Sequence, residues 1–441
     1  MIEQLFSTLQ KTSDFLWGYI GAAMIIVAGV LVSHQLGWMQ LKGLPRMIRV
    51  GLSLLQSPSG KTQQDRGVLP RQAFFASLGG CVGVGNVVAV TLAVQVGGPG
   101  VLVWLWIVAL LGMGLKYGEV YLGMAHRRPS KDGSYNGGPM YVLAEAFSSC
   151  KGWLPMFAAV LLCIYGTEIY IFGVIKEAVA TSWSLPPAWV TVVLLALVVL
   201  GVAGGVKRIG TISGVLLPFF GLLFLVMTLW VLVLHAATIP SLLLSVFRSA
   251  FTGHAAVGGF VGSTFMLTMS RGVFAACYSG DVGIGYASVI HSESRVQDPA
   301  QQASLSILGI FLDTTICTCV VLLLLLTGAW QQPGGSSTLV QTALSSTFPY
   351  MHIFMPLLIF SFGYTTIMAY LIAGIKSARF LSAKYGSTVY WICSTMAFIG
   401  FSVWDSTRAL VVMELAGGLL MIINCIALLR LRRSIQAPCV E

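Results

Sequence analysis

Residues 79–86 read Gly79-Gly80-Cys81-Val82-Gly83-Val84-Gly85-Asn86. The run lies inside an apolar stretch, 72–97, long enough to cross a bilayer. Each glycine weakens a helix by roughly 1 kcal/mol. Four in seven residues, followed by an asparagine, predict a break at mid-membrane. Lipid offers no water to free peptide groups, so such a break must be buried in protein or line a cavity. Many carriers build their site from broken helices. The alternative here is close helix packing on small residues, without unwinding.

The surrounding composition agrees with a lipid setting. The chain has 441 residues, 56% hydrophobic and 9% charged, against about 25% charged in soluble domains. Its mean hydropathy is +0.86. Eleven stretches read as spans: 15–36, 72–97, 100–125, 153–178, 187–205, 210–235, 256–290, 303–328, 352–382, 387–404 and 408–430. The expected fold is an all-α polytopic membrane protein with about eleven transmembrane helices, 1–441 forming a single transporter domain. Short stretches near 135–147, 240–251 and 338–347 read as interfacial helices.

The net charge of +10 sits in the connections. Lys42, Arg46, Arg49, Lys61, Arg66 and Arg71 follow span 1, and Arg127, Arg128 and Lys131 follow span 3. Lys207 and Arg208 follow span 5, Arg295 span 7, Lys376, Arg379 and Lys384 span 9, and Arg430, Arg432 and Arg433 span 11. Alternate connections are nearly free of positive charge. This places the N-terminus outside and the C-terminus in the cytoplasm of a multi-pass plasma (inner) membrane protein. It also argues against a nucleic-acid partner. The nine cysteines form no framework and no C-x-x-C pair. MIEQLFSTLQKTSDF lacks the features of a signal peptide.

A second small-residue run, Ala255-Ala256-Val257-Gly258-Gly259-Phe260-Val261-Gly262-Ser263, opens the later half. Spans then group as two five-helix repeats, 72–236 and 256–430. An odd number of spans per repeat makes consecutive repeats enter from opposite sides. That is the pattern of an inverted repeat with its site at the repeat interface.

Such breaks suit a zwitterion. Free helix N-terminal N–H groups attract a carboxylate, and C-terminal carbonyls attract an ammonium. A hard cation such as Na⁺ takes oxygen ligands. Thr365 and Thr366, mid-span after Phe362-Gly363-Tyr364, offer hydroxyls, unless these bond back to their own helix. Asp313 is an acid at bilayer depth, either functional or a hydrogen-bonded structural group. Glu168, beside Thr167 and Tyr170, poses the same choice. Lys116 and Glu119 read as a structural pair three residues apart. No zinc, nucleophile-elbow or P-loop motif points to an enzyme. Two breaks at one central site argue against a channel.

The motifs together resemble the alanine or glycine:cation symporter (sodium:alanine symporter) family. Gly83-Val84-Gly85-Asn86 is similar to its G-T-G-N, and Gly97-Gly98-Pro99-Gly100 to its G-G-P-G. Gly112-Met113-Gly114-Leu115-Lys116-Tyr117-Gly118-Glu119-Val120 resembles G-M-A-T-K-F-A-E-V, and Gly137-Gly138-Pro139-Met140-Tyr141 matches G-G-P-M-Y. Gly205-Val206-Lys207-Arg208-Ile209, Arg271-Gly272-Val273-Phe274, Asp313-Thr314, Thr365-Thr366-Ile367 and Trp404-Asp405 follow the pattern.

The resemblance implies a LeuT-like 5+5 inverted repeat with one extra N-terminal helix. It implies Na⁺ (or H⁺) symport of L- or D-alanine or glycine by alternating access, Na⁺ being a coupling ion and no cofactor being needed. It places the substrate carboxylate on the N–H groups of Val84 and Gly85, with Tyr170, Gly258 and Gly259 completing the substrate site. It places one Na⁺ among Gly79, Val82, Phe362, Thr365 and Thr366, and a second at Asn86 and Asp313. Three departures stand out. Val84 replaces the family threonine. Gly166-Thr167-Glu168-Ile169-Tyr170 replaces G-N-M-V-Q. Ser279-Gly280-Asp281-Val282-Gly283-Ile284-Gly285 replaces S-N-E-A-G-L-G.

Overall fold

The computed structural model describes residues 2–56, 66–148, 152–252, 264–403 and 406–437. Apart from one short antiparallel pair, Arg128–Pro129 with Tyr135–Asn136, the described elements are helices. Seven of them are long and apolar enough to cross a bilayer: Glu3–Gln35, Val101–Ala125, Trp153–Trp183, Gly205–Leu234, Pro299–Thr327, Met351–Leu381 and Arg408–Ser434. The pair Pro70–Cys81 and Val84–Gly97, bent by 41°, makes an eighth. The described residues of the eleven expected stretches are mostly helical, but Pro187–Val202 and Phe265–Gly280 are shorter than a full span.

Burial separates interior helices from lipid-facing ones. The apolar window of Met351–Leu381 is 94% buried, against 39% for Gly205–Leu234. On the latter helix Val215, Phe219, Leu222, Val226, Leu229 and Val233 are exposed at steps of three and four. That spacing is one helical face, and it faces lipid. Ser213, Leu217, Gly221 and Phe224 on the other face are buried. Short helices Pro139–Ala146, Ile239–Thr252 and Ser336–Ser345 stand where interfacial helices are expected.

The first break forms at the glycine run. The helix from Pro70 ends at Cys81, Val82 and Gly83 are extended, one 3₁₀ turn covers Val84–Asn86, and helix resumes at Val88. The run 255–263, with Gly258 and Gly259, lies outside the described residues. A break does interrupt the same span further on. Helix Phe265–Gly280 stops at Asp281, and Tyr286–His291 begins after Gly285. Asp281, Gly283 and Gly285 all have positive φ, at 49°, 77° and 103°. The replaced glycine motif is therefore a buried, unwound segment. A third break, unforeseen, separates Trp153–Tyr165 from Ile169–Trp183, with Glu168 at φ 51°.

Candidate functional site at the helix breaks

The three breaks meet against the middle of Met351–Leu381. Thr366 Oγ1 lies 2.9 Å from the Gly79 carbonyl and 2.8 Å from that of Phe362. It thus joins the frayed end of one helix to the body of another. Thr365 Oγ1 turns to its own helix, reaching the Phe362 carbonyl at 2.9 Å and that of Ser361 at 3.2 Å. Of the expected cation ligands, Gly79, Phe362, Thr365 and Thr366 are together, and Val82 is in the extended segment beside them. Ser213, not foreseen, brings a buried hydroxyl without a hydrogen-bond partner among the described residues. It lies 2.9 Å from where a Cβ on Gly79 would stand.

Asn86 connects the first break to Asp313. Its Oδ1 accepts from the Gly83 N–H at 2.8 Å, and its Nδ2 donates to Asp313 Oδ1 at 2.6 Å. The Ser279 hydroxyl lies 3.4 Å from Asp313 Oδ2, at the end of the helix before the second break. Asn86 and Asp313 are fully enclosed. A buried donor or acceptor left alone costs about 1–3 kcal/mol. Asn86→Leu is therefore expected to lower the protein's thermal unfolding temperature in detergent, since it orphans the Gly83 N–H and takes from Asp313 Oδ1 its amide donor. An unshifted melting curve would count against this connection.

The N–H groups of Val84 and Gly85 have no hydrogen bond among the described residues. Gly85 lines a small enclosed cavity together with Gly83, Glu168, Tyr278, Ser279 and Thr366. The cavity measures about 10 Å³, room for one water-sized sphere. Val84 packs its side chain toward Gly363 instead. Tyr170 is only half buried and is absent from this lining; Glu168, two residues earlier, takes the place expected for it.

Lys116 does not pair with Glu119. Its ammonium lies 2.8 Å from the carbonyls of Gly280 and Asp281 and 2.8 Å from Asp281 Oδ2, and 3.4 Å from Cys81 Sγ. One buried cation thus touches the ends of both broken helices. Glu119 instead faces Asn424 Nδ2 at 3.4 Å. On the side of the basic connections lies a polar cavity of about 430 Å³, bordered by Asp132, Lys207, Glu293, Lys376 and Arg379. There Lys376 contacts Glu293 at 2.5 Å and the Tyr135 carbonyl at 2.7 Å.

Residues 2–439 match the model of the sodium:alanine symporter family. The chain belongs to the sodium:alanine symporter family. Among family relatives, an uncharacterized transporter of Haemophilus influenzae is 31% identical, over 97% of this chain and 94% of its own. The sodium/alanine symporter AgcS of Methanococcus maripaludis is 27% identical, over 96% and 94%. The probable sodium/glutamine symporter GlnT of Bacillus subtilis is 26% identical, over 96% and 87%. A Na⁺-coupled sialic acid symporter, solved substrate-bound and outward-open, shares the fold with TM-score 0.55 at 13% identity, over 89% of this chain and 86% of that one. This sodium:alanine symporter family member is thus a membrane transporter and not an enzyme. Its buried acids belong to a carrier, and its LeuT-like arrangement is that of solved cation-coupled transporters.

Proposed function

We propose that this protein is a Na⁺-coupled symporter of a small zwitterionic amino acid, alanine or glycine, working by alternating access. The observation that carries the reading is the pair of N–H groups at Val84 and Gly85, without a hydrogen bond among the described residues, beside a small cavity lined by residues at or next to the three helix breaks. Free peptide N–H groups at a helix start receive a carboxylate without adding formal charge. The carbonyls of Gly79, Val82 and Phe362 with the hydroxyl of Thr366 are hard oxygen donors for Na⁺, and Thr365 stands in reserve on the same turn. Asn86 and Asp313 offer a second cation place. Ion and carboxylate both favour one arrangement of residues 79–86, and that shared preference is the coupling.

In this reading the two halves, 72–236 and 256–430, are inverted repeats following one extra helix, eleven crossings in all. The N-terminus is outside and the C-terminus cytoplasmic, in the plasma (inner) membrane. The 430 Å³ polar cavity, bordered by residues of the basic connections, is the inner mouth. The glutamine carrier among the relatives supports a second reading, another small neutral amino acid in the same site. Uptake of labelled alanine, glycine and glutamine into proteoliposomes, with and without an inward Na⁺ gradient, separates the two. Uptake driven by a proton gradient alone would replace Na⁺ by H⁺.

Thr366→Ala is expected to raise the Na⁺ concentration for half-maximal uptake about tenfold or more, the equivalent of about 1.4 kcal/mol or more. Thr365→Ala is expected to raise it less, because among the described residues that hydroxyl bonds only its own helix, whereas Thr366 also reaches the Gly79 carbonyl. The reverse order would move the ion to the other side of the Met351–Leu381 helix.

A further inference from the structure

Glu168 has features that packing does not explain. It occupies a left-handed conformation, φ 51°, that residues other than glycine, asparagine and aspartate rarely adopt. Its side chain is 1% exposed and lines the enclosed cavity opposite Gly83, Gly85 and Thr366. Its Oε2 has no hydrogen-bond partner among the described residues. No lysine, arginine or histidine forms an ion pair with it among them. The buried ammonium of Lys116 is committed to Asp281. The Tyr278 hydroxyl interacts with the Glu168 carboxyl in the same wall, but it brings no positive charge.

A buried carboxylate without a counter-charge is costly, and ordinarily it is paired. Here a strained backbone holds one in a cavity wall facing no protein cation. The missing positive charge is one that the cargo would bring.

We propose that Glu168 receives the protonated amino group of the substrate and makes that group obligatory for transport. The assignment rests on the amino-acid reading above. The cargo lies with its carboxylate on the N–H groups near Gly85 and its ammonium on Glu168. The cavity, with room here for one water-sized sphere, must widen between Glu168 and Gly85 to take the cargo. A second carboxylate on the cargo would face Glu168 or the enclosing apolar wall, so acidic amino acids are excluded. Carboxylates without an amine, such as propionate and lactate, leave Glu168 unpaired and are rejected for the reason that a buried polar group left alone is costly.

The test uses the full-length protein, wild type and Glu168→Gln, in proteoliposomes and in detergent. Glutamine has the same size and keeps the hydrogen-bonding shape but loses the charge. The KM for alanine should rise at least thirtyfold in E168Q. The Na⁺ concentration that half-saturates the intrinsic tryptophan signal, measured without amino acid, should stay within twofold. Propionate should compete poorly in wild type and should narrow its gap to alanine at least tenfold in E168Q. Glu168→Asp should retain the preference for amines with a weaker KM, and it decides the matter if E168Q does not fold. An E168Q KM within threefold of wild type overturns the proposal. So does a shift of Na⁺ affinity as large as that of KM, or an unchanged KM with an altered dependence on pH. Wild type that transports no zwitterion under any gradient overturns the amino-acid reading itself, a separate outcome.

Discussion

Lys116→Met is expected to abolish transport and to destabilise the protein by about 3–5 kcal/mol, the usual result of removing one partner from a buried ion pair. Methionine matches the lysine stem in length and supplies no charge. Asp281, with no exposed surface, would then hold its charge against no cation. The carbonyls of Gly280 and Asp281 would also lose their donor, at the end of a helix whose last carbonyls have no helical partner. The Ala287 N–H alone, 3.1 Å from Asp281 Oδ2, would remain. Thermal unfolding in detergent reads the loss of stability and proteoliposome uptake the loss of transport. The pair Lys116→Met with Asp281→Asn should recover much of the stability, because the orphaned charge is gone, yet not the transport, because the second break is no longer held. A stable, active single variant would show that the cation is not what holds residues 280–285 open.

The long-range nature of that pair explains why it is hidden in the sequence. Lys116 and Glu119 stand three apart, a spacing that reads as a local helical pair. The real partner is 165 residues away, on a span from the other half of the chain. The first break is legible because four glycines weaken the helix and an asparagine adds a polar group inside the same apolar run. The second was looked for at Gly258 and Gly259, outside the described residues. The observed break at Asp281–Gly285 carries a comparable signal: Gly280, Gly283 and Gly285 within six residues, with an acid among them. Small residues that permit close packing and small residues that permit unwinding look alike in a sequence, and only neighbours decide between them. The third break has one glycine, Gly166, so propensity alone reads through it as helix. Its strain at Glu168 is visible only in the backbone angles.

Thr365 and Thr366 give the same lesson at finer scale. As residue types they are equal oxygen sources. Adjacent positions on a helix point about 100° apart, so Thr366 puts its hydroxyl on the Gly79 carbonyl, while Thr365, whose Cβ also lies against Gly79, turns its hydroxyl to its own helix. Hydropathy cannot set that phase when the helix is apolar all round, as a buried span is. Asn86 and Asp313 were each legible as polar groups at depth. Their contact, 227 residues apart in the chain, was not derivable from local spacing.

Gly83→Ala is expected to act on Na⁺ through Thr366, with little effect from the backbone. Gly83 has φ −142° and ψ −164°, extended values that any residue adopts. The obstacle is contact: a Cβ there would lie 2.2 Å from Thr366 Oγ1. The hydroxyl must rotate away and lose its bonds to the Gly79 and Phe362 carbonyls. Both carbonyls belong to the proposed ion site, so the half-saturating Na⁺ concentration should rise by a factor of ten or more, with about 1.4 kcal/mol for each tenfold. A double-mutant cycle isolates the mechanism, since contacting residues are non-additive. In a Thr366→Ala background the oxygen that the new methyl strikes is absent, so Gly83→Ala should then add less than twofold. Full additivity would mean that the methyl acts elsewhere, on the peptide groups of the break itself. The ion site would then depend on the shape of residues 82–85 and not on the hydroxyl that spans them.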